Sequence, residues 1–552
     1  MASIALRDLT FAYPSSETTN PSDRGSIGKT ALSHVSVTIP DGAFVTLYGE
    51  NGSGKSTLLR LIKREIAPLG SRSGEILLDG TSTDTLSDRD SACRIGYVAQ
   101  QPEEQIVTDR VWHELAFGCE NIGMPEDKMR RRIAEIACMF GMEEWFERDT
   151  ASLSGGQKQL LSLAAVMAMD PDVLLLDEPT AQLDPIASVE FLAVVARLHR
   201  EFFMTILLVT HALEDVLPYT DRLLVLEGGS VLAYDTPSAV LEQLRHREDM
   251  LLGFPVAMQL FHEYPAPCPL TIRDGRTYLH THFANTIRTL PLPADTPQPQ
   301  AAEMLSFRDV WFRYQKNTPD VLRGLTFSVR QGEILCVLGG NGSGKSTMLS
   351  VTSGWLTPYA GTVRVCGKRL REYGGDSLFR NCLAYLPQDV TTLFACQTVE
   401  KELAEVGISV PETLKAAAHT HPYDLSGGQK QLLALTKVLT THPRLLLLDE
   451  PTKGLDSTAR ERIAKTLREL RKSGLTIVCV THDVDFAAAI ADRCAFFFRG
   501  EITSMDAPRR FFADNRFYTT AVCRITRGYY DNAVTVADAK AFCKANGYRR
   551  EE

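Results

Sequence analysis

Short apolar runs, each followed by polar or glycine-rich residues, recur along the chain. Their length and their flanking glycines are typical of strands buried in the interior of a parallel sheet. The runs fall into two sets, at 43–48, 173–176 and 206–210, and at 334–338, 445–448 and 476–481. We therefore expect two α/β units, each with a core of parallel strands.

The same two units are visible as an internal repeat. The sequence GENGSGKST at 49–57 recurs as GGNGSGKST at 339–347, and LSGGQKQ at 153–159 recurs at 425–431. LLLDEPT, which ends at Thr180, recurs with its end at Thr452. Such self-similarity indicates two versions of one domain, which we call the first copy and the second copy.

The two copies differ mainly before the LSGGQ segment, where the first copy is longer. In this interval Ile133, Ile136, Ala137 and Phe140 have the spacing of one helix face. We therefore predict a helical subdomain that is larger in the first copy.

Length and composition set the domain limits. A chain of 552 residues is too long for one hydrophobic core, and a proline-rich sequence before residue 300 is typical of an extended linker. We predict a first domain, a linker, a second domain and a C-terminal tail, at 1–249, 250–303, 304–515 and 516–552.

Overall composition is that of a globular protein, with 44% hydrophobic and 23% charged residues. A net charge of -9 argues against a nucleic-acid partner, which would require clustered Lys and Arg. We find no leader peptide and no apolar run of about 18 residues that would span a membrane. The 12 cysteines are scattered without a C-x-x-C pair, which predicts reduced thiols in the cytoplasm.

Each copy carries the pattern G-x-x-x-x-G-K-[ST] between an apolar run and a predicted helix. In this context glycines let backbone N–H groups approach phosphate oxygens at the helix N-terminus. Lysine would contact the β and γ phosphates and the following serine a magnesium ion; a glycine-rich structural turn is the alternative. The predicted ATP-binding residues are Gly49, Asn51, Gly52, Gly54, Lys55, Ser56 and Thr57, and Gly339, Asn341, Gly342, Gly344, Lys345, Ser346 and Thr347.

The LSGGQ segment, together with the motif order, resembles the ATP-binding-cassette ATPases over most of both halves. The resemblance implies an α/β fold with two P-loop cassette domains, each with a mainly parallel core sheet flanked by helices, a small antiparallel β-subdomain and a helical signature subdomain. It also implies that Ser154, Gly156, Ser426 and Gly428 bind the γ-phosphate of ATP held by the opposite copy, so that the two copies pair within the chain. A helix-capping turn is the alternative.

An Asp-Glu pair follows a buried strand in each copy, where parallel sheets place their ligands. We expect Asp177 and Asp449 to hold magnesium. Glu178 and Glu450 are the candidate general bases that take a proton from the attacking water. Exposed strand-end charges are the alternative.

Three further residue types match family positions once in each copy. They are His211 and His482, Gln100 and Gln388, and Tyr13 and Tyr314. The resemblance implies that the histidines orient the attacking water, the glutamines sense magnesium and nucleotide, and the tyrosines stack on adenine. Purely structural roles at strand ends or in a β-subdomain are the alternatives. Because both copies retain Lys, Gln, Asp, Glu and His, we expect two hydrolysis-competent sites.

The segment after the first of these glutamines is the most discriminating. QQPEEQIV at 100–107, followed by ELAFG at 114–118 and Glu120-Asn121, resembles the ATPases of energy-coupling-factor importers of vitamins and transition-metal ions. The second copy departs from it, with QDVTT at 388–392. The tail also resembles fused members of this group.

This resemblance implies a place at the cytoplasmic face of the cell membrane, with two membrane partners. One is a scaffold subunit and the other a separate substrate-binding subunit, so the chain itself does not reveal the cargo. Glu103 and Glu104 are candidate acceptors for arginines of the scaffold. An acidic, solvated helix start is the alternative.

Two other classes of soluble tandem cassette differ from this chain in the segments that join their motifs. Chromosome-maintenance relatives insert a long coiled coil between glutamine and signature, and the interval from Gln100 to Ser154 is too short for one. Ribosome-associated cassettes carry a long charged helical linker, whereas 254–303 holds few charges. An ATPase acting on ribosomes remains the alternative function.

Overall fold

The computed structural model describes residues 2–14, 27–265, 267–283, 287–290, 302–530 and 532–549. The chain divides into two compact units, Met1–Phe254 and Pro255–Glu552. Among the described helices, none combines the length and the apolar character that crossing a bilayer requires.

The first unit contains two sheets. Over the described residues, one is a four-stranded antiparallel sheet in the order β2-β1-β4-β5, and the other is six-stranded in the order β10-β9-β3-β8-β7-β6. Only β9 and β10 pair antiparallel in the larger sheet. The strands are β1 Ile4–Pro14, β2 Ile27–Ile39, β3 Phe44–Tyr48, β4 Ser71–Leu78, β5 Thr81–Ser82, β6 Ile95–Val98, β7 Val173–Asp177, β8 Thr205–Val209, β9 Arg222–Glu227 and β10 Ser230–Asp235.

Helices flank the larger sheet and form the predicted helical subdomain. They are α1 Lys55–Ile62, α2 Asp88–Arg94, α3 Val111–Asn121, α4 Glu126–Met139, α5 Gly155–Met167, α6 Pro185–Phe202, α7 Leu213–Val216, α8 Pro237–Leu244 and α9 Glu248–Leu251. Short 3-10 helices lie at Arg64–Ile66, Thr83–Thr85, Pro102–Glu104, Glu143–Trp145, Thr150–Ser152 and Leu217–Tyr219. The helix predicted around residues 130–140 is confirmed as α4, which buries Ile136 and Ala137.

The second unit repeats this arrangement after two additional helices. Its sheets have the orders β12-β11-β14-β15 and β16-β17-β18-β13-β19-β20. The strands are β11 Glu303–Phe312, β12 Leu322–Arg330, β13 Ile334–Leu338, β14 Ala360–Val365, β15 Lys368–Arg369, β16 Leu383–Leu386, β17 Leu445–Asp449, β18 Thr476–Val480, β19 Arg493–Phe498 and β20 Glu501–Asp506.

Its helical region before the LSGGQ segment is shorter, as the sequence predicted. The helices of the second unit are α10 Val256–Phe261, α11 Ile272–His282, α12 Lys345–Thr352, α13 Val399–Ala404, α14 Gly427–Leu439, α15 Ser457–Lys472, α16 Val484–Ile490, α17 Pro508–Asp514, α18 Ala521–Thr526 and α19 Val536–Asn546. Short 3-10 helices lie at Leu370–Glu372, Gly375–Leu378, Val390–Leu393, Glu412–Ala417 and Pro422–Asp424. The predicted fold class is confirmed in both copies.

Helices α10, α11, α18 and α19 pack together, and we call them the four-helix unit. Their shared apolar cluster includes Phe261, Tyr278, Ile525 and Phe542. The first two of these helices lie in the predicted linker and the last two in the predicted tail, so these segments supply a joint hydrophobic core. The proline-rich end of the linker lies outside the described residues, and the four sequence-based domain limits stay a prediction.

The four-helix unit also extends the internal repeat. Thr271 caps α11 by accepting a hydrogen bond from the Asp274 backbone, and Thr535 caps α19 in the same way with Asp538. Threonine followed by aspartate three residues later thus begins the second helix of each pair. The repeat therefore continues past the two cassettes into a helix pair after each.

The cysteine pattern gave one wrong expectation. Cys366, after β14, and Cys382, before β16, form a disulfide, whereas scattered cysteines predicted reduced thiols. The fold brings these two strand ends to a Cα–Cα distance of 6.7 Å, within the range that a disulfide spans. The other cysteines are free, as predicted.

Phe542 provides a test of the four-helix unit. Its ring is fully buried and stacks on Tyr530 at 4.8 Å between centroids. Since Phe-to-Ala changes in a core cost about 3 to 5 kcal/mol, Phe542→Ala should speed amide hydrogen exchange in α19 by about a hundredfold or more. Phe517→Ala, at an 86% exposed side chain, is the control and should leave exchange unchanged. Unchanged protection of α19 in Phe542→Ala would contradict a shared core.

Candidate functional site

The phosphate loop of each copy lies between a buried strand and a helix, β3 and α1 in the first copy and β13 and α12 in the second. Lys55 is only 5% exposed, and its Nζ donates to the carbonyls of Gly49 and Glu50 at 2.8 and 2.9 Å. Lys345 makes the equivalent two contacts at the same distances. Each ammonium group is therefore held at the loop backbone, where phosphate binding requires it.

One glycine in each loop is required by its backbone and its surroundings. Gly54 and Gly344 directly precede the helices with φ angles of 98° and 108°, in the left-handed region. A Cβ on Gly54 would lie 2.4 Å from the Ala31 carbonyl oxygen, and one on Gly344 3.0 Å from that of Val321. Only glycine allows this close turn, which presents the first N–H groups of the helix to an anion.

Asp177 and Asp449 end the central strands β7 and β17 and are almost fully buried. Asp177 accepts hydrogen bonds from Ser56 Oγ at 2.8 Å and from the Tyr97 hydroxyl at 3.0 Å. Asp449 accepts one from Tyr385 at 3.3 Å. Burial raises the pKa of both carboxyl groups above its ordinary value, although hydrogen bonds oppose the shift.

These carboxylates fit a divalent cation. A raised pKa means that the negative charge is under-compensated, and Asp449 Oδ1 is buried without a hydrogen-bond partner in the described part of the chain. A cation with oxygen ligands would supply the missing compensation. We propose that Asp177 with Ser56, and Asp449 with Ser346, hold magnesium, which would neutralise phosphate charge when bound.

In the first copy the candidate general base connects the other two predicted catalytic residues. Gln100 Nε2 donates to Glu178 Oε2 at 2.9 Å. His211 Nε2 lies 2.8 Å from Glu178 Oε1. The structure thus joins glutamine, glutamate and histidine into one polar cluster.

The second copy joins only two of the three. His482 Nδ1 lies 2.9 Å from Glu450 Oε2, and its backbone N–H donates to the same oxygen at 3.2 Å. Gln388 is exposed and, within the described residues, makes no hydrogen bond to Glu450. The histidines also approach through different ring nitrogens, so the two clusters are not equivalent.

Both candidate bases have an unusual backbone. The φ angles of Glu178 and Glu450 are 48° and 51°, which non-glycine residues rarely adopt. Hydrogen bonds from their N–H groups to Val209 and Val480 of the adjacent strands stabilise this conformation. Strained residues concentrate at functional sites, which supports our proposal that these two glutamates act as general bases.

Tyr13 and Tyr314 lie beside the phosphate loops. Their hydroxyls are 3.0 Å from Thr57 Oγ1 and Thr347 Oγ1 respectively. Both rings keep substantial exposure, so a flat aromatic face is open next to each loop. We propose that these faces stack on adenine.

The signature residues begin helices α5 and α14. Ser154 and Ser426 are N-caps, each in a reciprocal capping box with the glutamine three residues on. A Cβ on Gly156 or Gly428 would lie 3.3 or 2.8 Å from an alanine Cβ of the following helix. These residues thus have a structural role, and γ-phosphate binding by them remains a proposal.

Sequence reasoning missed Tyr97 and Tyr385. Each hydrogen-bonds the buried aspartate of its copy and lies on the strand that leads to the predicted glutamine. The signal was present, because tyrosine recurs at this position in both copies. A buried strand residue has a packing explanation, however, so its hydroxyl contact needed the fold.

Comparison with known proteins identifies the repeated domain. The family model described as ABC transporter matches residues 32–181 and 322–453. A protein of Bacillus thuringiensis subsp. konkukian named as an ABC transporter ATP-binding protein is 39% identical, covering 93% of this chain and 95% of its own. A protein of Bacillus anthracis with a similar name is 37% identical over 99% of both chains.

One solved structure is similar over most of the chain. The archaeal ribosome recycling factor aABCE1, in complex with the ribosomal stalk protein aP1, has a TM-score of 0.55 and covers 92% of both chains. Its sequence identity is 19%, so the likeness bears on the fold alone.

Replacing either candidate base tests both sites. Glu178→Gln and Glu450→Gln should each reduce ATP hydrolysis to about half or less, and the double variant by about a hundredfold or more, as loss of a general base predicts. Steady-state phosphate release measures this, with Glu190→Gln on the exposed face of α6 as control. Full activity after either single change would exclude that residue.

The pKa of His482 gives a second test. Burial alone would lower it, but the hydrogen bond and charge of Glu450 outweigh burial and raise it above the ordinary value of about 6.5. Glu450→Gln removes the carboxylate that favours the protonated ring, so the pKa of His482 should fall. NMR titration of ring protons, assigned with His482→Asn, measures it. An unchanged pKa in Glu450→Gln would contradict the pairing.

Proposed function

The chain belongs to the ABC transporter family of ATP-binding proteins, and we propose that it is the motor subunit of an energy-coupling-factor type importer for a vitamin or a transition-metal ion. The chain binds and hydrolyses ATP as a member of this family. In the proposed cycle, ATP brings the two copies together, so that the signature of each completes the phosphate site of the other.

One observation carries the importer proposal. The segment from Gln100 to Val107 resembles that of energy-coupling-factor ATPases, and it contains the 3-10 helix Pro102–Glu104. Glu103 and Glu104 are both exposed there. The predicted docking surface, Glu103 and Glu104, therefore begins three residues after Gln100, which contacts the candidate base.

The segment that carries this surface is hydrogen-bonded to the end of strand β6 and forms an ion pair with helix α5. Gln105 accepts a hydrogen bond from the Ala99 N–H at 3.0 Å and donates to the Tyr97 carbonyl at 3.0 Å. Glu103 forms an ion pair with Lys158 of the signature helix α5 at 3.0 Å. An arginine of a membrane scaffold that engaged Glu103 would compete with Lys158. Partner binding would then affect both the segment after Gln100 and the signature helix α5.

Differences in the second copy support the proposal that the two copies contact different parts of the scaffold. It has Thr391 and Thr392 at the positions of the two glutamates, and a shorter helical region. The copies share a supporting element nearby: Glu114 and Glu402 are buried, and each accepts hydrogen bonds from two backbone N–H groups of the preceding loop. The docking surfaces thus differ on a common framework, as two different contacts with one scaffold would require.

Charge reversal tests the docking surface. Glu103→Lys with Glu104→Lys should reduce co-purification with the membrane scaffold by about tenfold or more, because arginine contacts would become repulsive. The Kd for ATP should stay within about twofold. Glu143→Lys with Glu144→Lys is the matched control, since these two exposed glutamates also lie in the first turn of a 3-10 helix. Assembly that survives the reversal at 103 and 104 would contradict the proposed surface.

Purification from membranes tests the function itself. The tagged full chain should bring down one scaffold and one small membrane protein, and mass spectrometry of the complex should identify the retained vitamin or metal ion. The chain should be recovered in the membrane fraction, bound at the cytoplasmic face of the membrane. Co-sedimentation with ribosomes instead, without membrane partners, would favour the alternative of a ribosome-acting ATPase.

A further inference from the structure

A residue of the C-terminal tail lies against the phosphate loop of the second copy. A Cβ placed on Gly340, the second residue of this loop, would lie 3.8 Å from the Tyr518 hydroxyl. The Tyr518 ring packs edge-on against Phe496, with ring centroids 4.7 Å apart. Phe496 is paired in β19 with Leu338, the last residue before the loop. Tyr518 thus lies beside the loop and packs against β19, the neighbour of the strand that leads into the loop.

The position of Tyr518 is fixed by buried hydrogen bonds of the next two residues. Thr519 Oγ1 donates to the Phe512 carbonyl at 2.6 Å, and Thr520 Oγ1 donates to the Val534 carbonyl at 2.8 Å. Both threonines are almost fully buried. The backbone that carries Tyr518 is therefore anchored in the fold of the tail.

The tail is also part of the core that supports this site. Cys523 and Val534 belong to the same apolar cluster as Phe486, Phe511 and Phe512. Phe486 lies on α16, which begins two residues after the candidate catalytic histidine of the second copy. The tail and the helix that follows the candidate histidine therefore share one apolar core.

The first copy has an apolar residue at the corresponding position. Counting back from the matched caps Thr271 and Thr535, Phe254 corresponds to Tyr518. Its ring lies 6.0 Å from that of Tyr48, the last residue before the first phosphate loop. The ring of Phe254 thus lies at the strand that enters its loop, whereas the ring of Tyr518 lies at the strand next to it.

The two aromatic side chains also differ in their polar groups. Tyrosine carries a hydroxyl that phenylalanine lacks, and the second residue of the loop is glycine in the second copy but glutamate, Glu50, in the first. A side chain at 340 would occupy the space beside the Tyr518 hydroxyl. A tyrosine at this position together with a glycine at the second loop position thus occurs in the second copy and not in the first.

We infer that Tyr518 is a positioning residue for the second ATP site: its hydroxyl holds the phosphate loop at Gly340, so that the C-terminal tail sets the ATP affinity of this copy alone. Loop N–H groups bind phosphate best when they are ordered before the ligand arrives. The entropy lost on ordering the loop then does not weaken the free energy of binding. A single contact of this kind changes affinity by about three- to tenfold.

The test uses the full chain with only one competent loop. In a Lys55→Ala background, in which the first loop lacks its lysine, Tyr518→Phe should raise the Kd for magnesium ATP at the second copy by about three- to tenfold. Fluorescent ATP or calorimetric titration measures it. Tyr518→Ala should have an equal or larger effect, and Phe517→Ala, at the exposed neighbouring position, should have none.

Two further measurements separate positioning from a loss of structure. In a Lys345→Ala background, where only the first copy binds, Tyr518→Phe should leave the Kd unchanged, and its melting temperature without nucleotide should equal that of the parent chain. Equal affinity of Tyr518→Phe and the parent at the second copy would overturn the inference. So would an equal loss of affinity at both copies, which would indicate a general structural effect.

Discussion

The parallel pairing of the central strands is the constraint on which the rest of each copy depends. In the first copy β8 pairs in parallel with both β3 and β7, and in the second β18 pairs likewise with β13 and β17. All these strands are fully buried, so their register is fixed by the core. Their carboxyl ends meet at one edge, which brings the phosphate loop, the Asp-Glu pair and the histidine together from distant positions.

This edge concentrates charge that the core cannot compensate. This edge holds buried aspartates with raised pKa values and lysines held by loop carbonyls, a combination that suits a cation bound with a polyanion. The two copies differ in the hydrogen bonds made by their predicted glutamines. Gln100 closes the cluster around Glu178, whereas Gln388 stays exposed. Identical residue types therefore do not imply identical sites, and the proposed partner surfaces differ in the same manner.

The four-helix unit adds a second level of asymmetry. The helix pairs that follow the two cassettes bury a shared aromatic core, and the tail also enters the core of the second copy. Through Tyr518 this packing reaches a phosphate loop, while the corresponding Phe254 brings no hydroxyl. A segment outside the repeated motifs thus becomes part of the environment of one ATP site.

The sequence by itself determined the two copies, their buried strands and the residue types of both sites, because apolar runs and glycine-rich loops are local signals. Tertiary structure decided which of these residues meet. The contact of Tyr97 with Asp177, the Cys366–Cys382 disulfide and the approach of Tyr518 to Gly340 join positions whose own neighbours in sequence give no reason to pair them. Such contacts arise only when strands and helices are placed in space, so no local pattern encodes them.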